Sequence, residues 1–168
     1  QPLGPYCIGK IGGELYVKYM VKTWDFPAVI LRPFNTIGAM RRRTVVESVV
    51  WQMMEGGTLK LGDPASIRDF LWIQDHVNSY LKCLENDKSI GEVFNLCTGR
   101  GVSIENLVKI ASEITGWNGQ VLWNQFKPRI NDIYCLIGSY GKAERMLGWK
   151  PTVTLEEAIK RMYEAWRK

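Results

Sequence analysis

A short apolar run restricts the architecture of this chain more than any other feature. Residues 28–31 read AVIL, and they follow a segment, residues 6–23, whose apolar positions have helical spacing. A strand that is apolar on both faces is typical of a parallel sheet covered by helices. Parallel neighbours also need a crossover between them, usually a helix. The chain is therefore expected to alternate strands with helices.

The remaining sequence repeats this alternation. Apolar periodicity and turn residues predict helices over residues 6–23, 45–55, 75–86, 103–115, 139–147 and 154–166. They predict strands over residues 28–31, 59–61, 70–73, 92–96 and 121–123, with a loop over 33–44. This order predicts an α/β architecture with a mainly parallel sheet.

Side chains at the helix ends support these boundaries. Asp75 and Ser103 have the residue types that cap a helix N-terminus, and Gly116 is a stop signal. Thr154 and Glu157 have the spacing of a capping box, in which the two side chains bond each other's backbone N–H. We therefore expect capped helices to begin at these three places.

Composition limits the class of protein. The 168 residues are 46% hydrophobic and 23% charged, which is typical of a globular chain, here expected to form one domain over residues 1–168. No apolar run approaches the ~18 residues of a membrane span, so no membrane partner is expected. The net charge of +5 is spread over both halves and suits anionic partners, from nucleic acid to a nucleotide-sized phosphate. Its one dense cluster, Arg41-Arg42-Arg43, fits either a solvated loop or a phosphate clamp.

The cysteines and the histidine indicate neither a disulfide framework nor a metal centre. Cys7, Cys83, Cys97 and Cys135 lack metal-ligand spacing and have apolar or aromatic neighbours. We expect four buried thiols in a reduced, cytoplasmic protein. His76 is the only histidine, so a multi-His metal site is excluded, and a partly buried helical side chain is expected there.

Tyr6 and Lys10 are the pair with the clearest chemical meaning. Residues at i and i+4 lie on one face of a helix. A lysine ammonium close to a phenol favours the phenolate, which can then remove a proton from a substrate hydroxyl. Taken alone, however, the spacing is equally consistent with a surface pair.

A series of five ordered motifs gives this pair a context. The motifs are PYCIGKIGGE (5–14), LRPFNTIG (31–38), GD (62–63) with RDF (68–70) and Asp75, EVFNLCTG (92–99) with VSI (102–104), and LGWKP (147–151). Together they resemble the C-terminal half of the extended short-chain dehydrogenase/reductases, the NAD(P)-dependent sugar-nucleotide epimerases and dehydratases. The resemblance covers essentially the whole chain. It implies part of a Rossmann-like, doubly wound sheet together with the small C-terminal substrate-binding α/β part.

The resemblance also implies roles for individual residues. Tyr6 matches the general base and Lys10 its partner, which also bonds the nicotinamide ribose. Pro33 and Phe34 would lie near the nicotinamide. Asn35 and Arg68 would lie near the sugar-nucleotide diphosphate, and Arg129 near a second phosphate or the ribose. A guanidinium fork suits phosphate oxygens. The alternative for Arg68 is an ion pair with Asp69 or Asp75, and the match for Arg129 is looser.

The glycine-rich βαβ half that cradles the dinucleotide pyrophosphate has no counterpart in these residues. NAD or NADP is therefore implied by the resemblance alone, and these residues favour neither. The expected function is a sugar-nucleotide epimerase or dehydratase that oxidises hexose C4 by hydride transfer, inactive as this chain alone. The alternative is a non-catalytic sugar-nucleotide-binding or structural remnant. NLCTGRGVSI (95–104) is similar to the GDP-mannose branch and LRPFNTIG equally to UDP-hexose 4-epimerases, so the nucleotide base stays open.

Two partners are expected: a nucleotide-diphosphate sugar, in preference to nucleic acid, and a second copy of the chain. Apolar or small residues lie on more than one face of helix 6–23, among them Ile8, Ile11, Leu15 and Val17. A helix that is apolar beyond one stripe has more than one surface to bury. In the family this helix packs against its copy, so we expect a homodimer. The helix over 45–54 supplies either its neighbour or the core beneath it.

Overall fold

Helices and strands alternate along the chain. The structure, a computed structural model, describes residues 4–39, 44–127 and 132–167. Its helices are α1 (Pro5–Trp24), α2 (Val45–Met54), α3 (Ile73–Leu84), α4 (Ile104–Thr115), α5 (Gly141–Leu147) and α6 (Leu155–Trp166). Its strands are β1 (Ile30–Pro33), β2 (Asn35–Ile37), β3 (Leu59–Lys60), β4 (Ile67–Arg68), β5 (Phe70–Trp72), β6 (Val93–Leu96), β7 (Val102–Ser103), β8 (Val121–Leu122) and β9 (Cys135–Leu136).

Most strand pairs are parallel. β1 pairs with β6, β2 with β5, β3 with β8 and β4 with β9 in parallel, whereas β4 and β7 are antiparallel. Pro33 at the end of β1 lies opposite Leu96, and Asn35 at the start of β2 lies opposite Phe70. The chain therefore crosses from one strand pair to another at Phe34. The predicted α/β architecture with mainly parallel pairing is confirmed.

The structure corrects two expectations around β1. Residues 33–44 are not all loop, because β2 lies within them, and a strand of three residues is too short to give a periodic pattern. The predicted burial of strand 28–31 on both faces is also wrong. Ile30 and Leu31 are half-buried and Arg32 and Pro33 exposed, since in the described part of the chain β6 is the one strand paired with β1.

The helix caps agree with the sequence at Ser103, Gly116 and Thr154 and depart from it at the capping box and at Asp75. Ser103 caps α4, accepting a hydrogen bond from the Asn106 N–H at 3.1 Å. Thr154 accepts one from Glu157 N–H, but the Glu157 side chain pairs with Arg161 and does not complete the capping box.

Asp75, predicted as an N-cap, lies inside the first turn of α3, whose N-cap is Trp72. Its buried carboxylate instead accepts hydrogen bonds from the N–H groups of Thr152 and Val153, both at 3.0 Å, and from the Thr152 hydroxyl at 2.6 Å. It therefore ties α3 to the segment that precedes α6, because a buried carboxylate must find donors. The sequence cannot show that these donors lie so far along the chain.

Two groups of buried apolar side chains form the interior. One lies among α2, α4, α6 and the strands β2, β3 and β5, and the other among α3, α5, β5 and β6. The apolar residues of α2 belong to the first group, including Val46, Val49 and Val50, which are fully buried. Helix 45–54 therefore supplies core, and the alternative that it is the neighbour of helix 6–23 is wrong.

α1 stands apart from both groups, since it has no buried residue over its 20 positions. Its exposed apolar side chains include Ile8, Ile11, Leu15 and Tyr19. Across residues 4–39, 44–127 and 132–167, no helix is long and apolar enough to span a bilayer.

Candidate functional site

Tyr6 and Lys10 lie on one face of α1, as their spacing predicts. The Lys10 ammonium is 5.5 Å from the centroid of the Tyr6 ring. Pro5 occupies the first helical position, where its missing N–H costs nothing, and it places Tyr6 within the first turn. Tyr6 is 75% exposed, so its hydroxyl is open to a ligand that approaches α1 from outside.

An ion-pair cluster at Glu14 attaches α1 to β1. Arg32 donates two hydrogen bonds to the Glu14 carboxylate, at 2.8 and 2.5 Å, and Lys18 donates a third at 2.7 Å. The hydrogen bonds from Arg32, and then from Lys18, lower the pKa of Glu14 to about 2. This cluster fixes α1 next to Arg32, the residue that precedes Pro33.

Pro33, Phe34 and Asn35 lie at the crossing between the two strand pairs. The Phe34 N–H donates to the Leu96 carbonyl at 2.9 Å, which extends the β1–β6 pairing by one residue. The Asn35 side-chain amide donates to the main-chain carbonyl of Asp69 at 3.0 Å. These residues therefore follow the carboxyl ends of β1 and β6, the edge at which open parallel sheets bind ligands.

Asp69 joins the loops at this edge, a role that the sequence did not reveal. The residue is fully buried, and its carboxylate accepts hydrogen bonds from Thr98 N–H (2.8 Å), the Thr98 hydroxyl (2.6 Å), Gly99 N–H (2.9 Å) and Gly138 N–H (3.3 Å). From the sequence, the one role considered for Asp69 was that of a possible ion-pair partner of Arg68. An aspartate directly before the apolar residues Phe70 to Trp72 is the signal that could have indicated a buried network.

Gly138 closes over Phe34 and Cys97. A Cβ atom at this position would lie 2.5 Å from the Cys97 sulfur and 2.7 Å from Phe34 Cζ, so any side chain here would displace the Phe34 ring. Burial, and then the charge of Asp69, raise the pKa of the Cys97 thiol to about 11. Cys97 is therefore a neutral packing group and not a nucleophile.

The other thiols correct the expectation of four buried cysteines. Cys83 is buried like Cys97, but Cys7 is half-buried and Cys135 is exposed, and all four are unpaired. Apolar sequence neighbours did not determine burial at Cys135 because it lies on the two-residue strand β9, which borders only β4 among the described strands.

Arg68 has partners other than the two that the sequence suggested. Its Nη1 donates to the carbonyls of Ile67 at 2.9 Å and Tyr134 at 3.2 Å, and its Nη2 donates to Asp132 at 3.2 Å. The alternative of an ion pair with Asp69 or Asp75 is wrong, because both carboxylates bond main-chain donors elsewhere. Arg129 and Arg41-Arg42-Arg43 lie outside the described residues.

The structure does not bring all of the predicted site residues together. Asn35 bonds Asp69 directly, and Phe34 packs beside Gly138, which also bonds Asp69; Phe34, Asn35 and Asp69 are called the Asp69 group below. The Arg68 guanidinium bonds Tyr134 and Asp132 instead, and Tyr6 and Lys10 lie on α1. Within the described ranges neither Tyr6 nor Lys10 makes a hydrogen bond, ion pair or ring contact with the Asp69 group. The given sequence has no glycine-rich turn of the kind that holds a dinucleotide pyrophosphate.

Solved structures share this fold. UDP-glucose 4-epimerase from Thermotoga maritima, with UDP-glucose, is 32% identical and superposes with a TM-score of 0.89 over 97% of this chain and 53% of its own. UDP-glucuronic acid 4-epimerase from Bacillus cereus, in complex with UDP-glucuronic acid and NAD, is 28% identical, with a TM-score of 0.89 over 99% of this chain and 54% of its own. The fold is that of the Rossmann-type epimerases and dehydratases, matched over about half of their chains.

Sequence comparison agrees. A putative UDP-glucose 4-epimerase from Methanocaldococcus jannaschii is 31% identical over the whole chain, which spans 54% of that relative. The chain is therefore part of an epimerase or dehydratase of the short-chain dehydrogenase/reductase type. More narrowly, residues 1–162 match the GDP-mannose 4,6 dehydratase model, and the chain belongs to that family. It spans about half the length of the curated relatives it matches.

Proposed function

We propose that this chain is the substrate-side half of an NAD(P)-dependent sugar-nucleotide epimerase or dehydratase. The supporting observation is the position of Phe34 and Asn35, which follow the carboxyl ends of β1 and β6 beside the buried Asp69, at the edge where open parallel sheets bind ligands. The complete enzyme would oxidise the hexose at C4 and then either epimerise it or eliminate water across C5–C6, with loss of the C5 proton and the C6 hydroxyl.

Each residue has a distinct part in this proposal. Tyr6 accepts the proton of the hexose C4 hydroxyl, and Lys10, whose ammonium lies 5.5 Å from the centroid of the phenol ring, is its charged partner. NAD or NADP, when bound, accepts the hydride. Pro33 and Phe34 border the nicotinamide, and Asn35 and Arg68 hold the sugar-nucleotide diphosphate. Arg129 contacts a second phosphate or the ribose.

Alone, the chain is expected to bind sugar nucleotide and to turn nothing over. Tyr6 and Lys10 make no contact with the Asp69 group in the described part of the chain, and the pyrophosphate cradle has no counterpart in the sequence. The same observation favours the second candidate function, a binding or structural module without catalysis. The two candidate functions make different predictions: only for the enzyme half does joining an upstream glycine-rich half restore turnover.

The decisive experiment joins this chain to the dinucleotide-binding half of a relative and compares three variants. We expect Tyr6→Phe to lower turnover by about 10²–10⁴-fold, the usual effect of losing a general base, with sugar-nucleotide affinity retained. Tyr16→Phe is the matched control, because Tyr16 is also exposed on α1, and it should keep turnover. Arg68→Ala should chiefly weaken binding. Wild-type turnover by Tyr6→Phe would remove the base assignment.

We also propose that the chain forms a homodimer through α1. Ile8, Ile11, Leu15 and Tyr19 recur at intervals of three and four residues, and each is about half or more exposed. This spacing gives a continuous apolar stripe along one side of a helix. A second copy of α1 would cover it.

We place the protein in the cytoplasm. The supporting observation is that all four cysteines are unpaired, with Cys135 exposed. Exposed thiols persist in a reducing compartment and tend to oxidise in a secreted protein.

A further inference from the structure

The first turn of α3 holds His76 in a fixed place beside β2. The Asp75 carboxylate ties this turn to the segment before α6, and the Trp149 indole N–H donates to the Asp75 main-chain carbonyl at 2.9 Å. The Ser79 hydroxyl donates to the His76 main-chain carbonyl at 2.6 Å. The backbone that carries the only histidine of the chain is therefore anchored independently of β2.

The imidazole of His76 is the part that reaches β2. Its Nδ1 lies 3.0 Å from the Thr36 hydroxyl oxygen, which in turn lies 3.5 Å from the main-chain carbonyl oxygen of Phe34. The Tyr80 ring packs against the imidazole, with the ring centroids 5.3 Å apart. Nε2 is buried and has no hydrogen-bond partner in the described part of the chain. Burial lowers the pKa of His76 below its ordinary 6.5, so the ring is uncharged at neutral pH and carries one N–H.

The position of that single N–H follows from what each choice leaves unpaired. If Nε2 carries the hydrogen, a buried N–H has no acceptor, and the Thr36 hydroxyl is used as the donor to Nδ1. If Nδ1 carries it, Nδ1 donates to Thr36, and the hydroxyl hydrogen is left for the Phe34 carbonyl. The group without a partner is then the Nε2 lone pair, and a buried acceptor without a donor is less rare in proteins than a buried N–H without an acceptor. The geometry therefore favours a chain of donors from His76 through Thr36 to Phe34.

We propose that His76 is a positioning residue for the ligand site: through Thr36 it fixes the crossing at Phe34, and with it Asn35. The inference rests on the proposed function, which places Phe34 and Asn35 against the nicotinamide and the sugar-nucleotide diphosphate. Successive side chains of a strand point to opposite faces, so Thr36 acts from the side opposite to Asn35 and does not touch the ligand. The Asn35 amide is held from its own side by the Asp69 carbonyl at 3.0 Å. Because β2 has three residues, the second attachment through Thr36 limits how far the crossing can shift.

The first experiment detects the hydrogen-bond chain without any ligand. Because His76 is the only histidine of the 168 residues, the NMR signals of its two ring nitrogens are assigned directly, and they show which nitrogen carries the hydrogen. We expect the Nδ1–H form in the wild type at neutral pH. Thr36→Val removes the acceptor and should shift the population toward the Nε2–H form. A wild type in the Nε2–H form overturns the inference.

The second experiment measures binding of UDP-glucose and of GDP-mannose to the full chain by calorimetry. We expect His76→Leu and Thr36→Val each to weaken binding about fivefold, the scale of one lost hydrogen bond. His76→Asn keeps an N–H donor close to the position of Nδ1, and Thr36→Ser keeps the hydroxyl, so both should bind within about twofold of the wild type. Affinity that these two variants fail to keep would assign the effect to packing and overturn the inference as well. Thr36→Val preserves the shape of the side chain and gives a result even if His76→Leu does not fold.

Thr115→Val is the matched control, because it makes the same substitution in α4, where the hydroxyl donates to the Ala111 carbonyl at 2.8 Å. It should lower the free energy of unfolding about as much as Thr36→Val and leave sugar-nucleotide affinity unchanged. An equal loss of affinity in Thr115→Val would reduce the effect of Thr36→Val to a general loss of stability and overturn the positioning role. Unchanged affinity in both His76→Leu and Thr36→Val refutes the positioning role alone, whereas a wild-type chain that binds neither sugar nucleotide refutes the proposed function and this role with it.

Discussion

The helices α1 and α2 are both rich in apolar side chains, yet they have opposite surroundings. α2 buries five of its ten residues against α4, α6 and the neighbouring strands. α1 is twice as long and buries none. Both helices have an apolar stripe, at positions 46, 49, 50 and 53 of α2 and at positions 8, 11, 15 and 19 of α1, but in the described part of the chain only the stripe of α2 is covered by other elements.

The means of attachment differ as well. α2 is held by apolar packing and by a capping box in which Thr44 and Glu47 bond each other's N–H groups. α1 is held largely by polar contacts, those of Glu14 with Arg32. A Cβ atom added at Gly9, Gly12 or Gly13 of α1 would meet no other atom within 4 Å, so this side of the helix is open. Apolar composition therefore does not decide burial; the presence of a covering element does.

The largest expected effect is on the free energy of unfolding, when a leucine is replaced by alanine in the buried core and on the exposed helix α1. Leu107→Ala in α4, which packs on α2, removes a fully buried side chain and should lower the free energy of unfolding by about 2–5 kcal/mol. Leu15→Ala in α1 removes a side chain that is 60% exposed in the single chain, so in the dissociated protein it should change this free energy by about 0.5 kcal/mol or less. Urea denaturation measures both. A comparable loss at Leu15 would mean that α1 is covered in solution.

The next largest effect concerns self-association of the chain through α1. If α1 pairs with its copy, Leu15→Glu should weaken self-association at least about tenfold, equivalent to about 1.4 kcal/mol. Thr58→Glu adds the same charge at an exposed position outside α1 and serves as the control. Size exclusion with light scattering over a tenfold dilution measures the mass. A constant 19.3 kDa for the wild type would refute the dimer.

The smallest effect tests the polar attachment of α1. The pKa of Glu14 is lowered to about 2 in the folded chain, so its stabilising contribution is complete above the ordinary value of 4.5 and is lost as pH falls toward 2. Because Lys18 and Arg32 are half exposed, we expect about 0.5 kcal/mol for Glu14→Gln at neutral pH. In Glu14→Gln, the backbone amides of α1 should exchange with solvent faster than in the wild type, whereas those of α4 should not change. Glu105→Gln, which breaks the exposed pair with Lys109, is the control.

The sequence predicted those parts of the fold that have a local pattern. The helices that contain Val46, Leu107 and Ile159 carry apolar residues at helical spacing, and their ends were correct to within a residue or two. The strands β2, β4, β7 and β9 have two or three residues each, too few to show a period. They form because distant segments meet, which no local window contains.

The candidate site divides in the same way. The Tyr6–Lys10 geometry follows from one helix, and the structure has it as expected. The Arg68–Asp132 pair spans 64 positions, whereas the sequence offered only the nearer Asp69 and Asp75 as alternative partners of Arg68. Both of those carboxylates accept hydrogen bonds from main-chain N–H groups of distant segments. These contacts arise from packing, so residue type and spacing do not predict them.

The bonds made by Asp69 have a consequence for how proteins of this architecture can diversify. Three of its four donors are peptide N–H groups, at Thr98, Gly99 and Gly138. Peptide donors are present whatever side chain a residue carries, proline excepted. The loop around Thr98 can therefore exchange side chains while its path stays fixed, so selection can rebuild what surrounds the ligand without rebuilding the scaffold. Gly99 and Gly138 are exceptions, because Gly99 has a φ of +73°, which L side chains rarely adopt, and the ring of Phe34 leaves no room at Gly138 for even a methyl group.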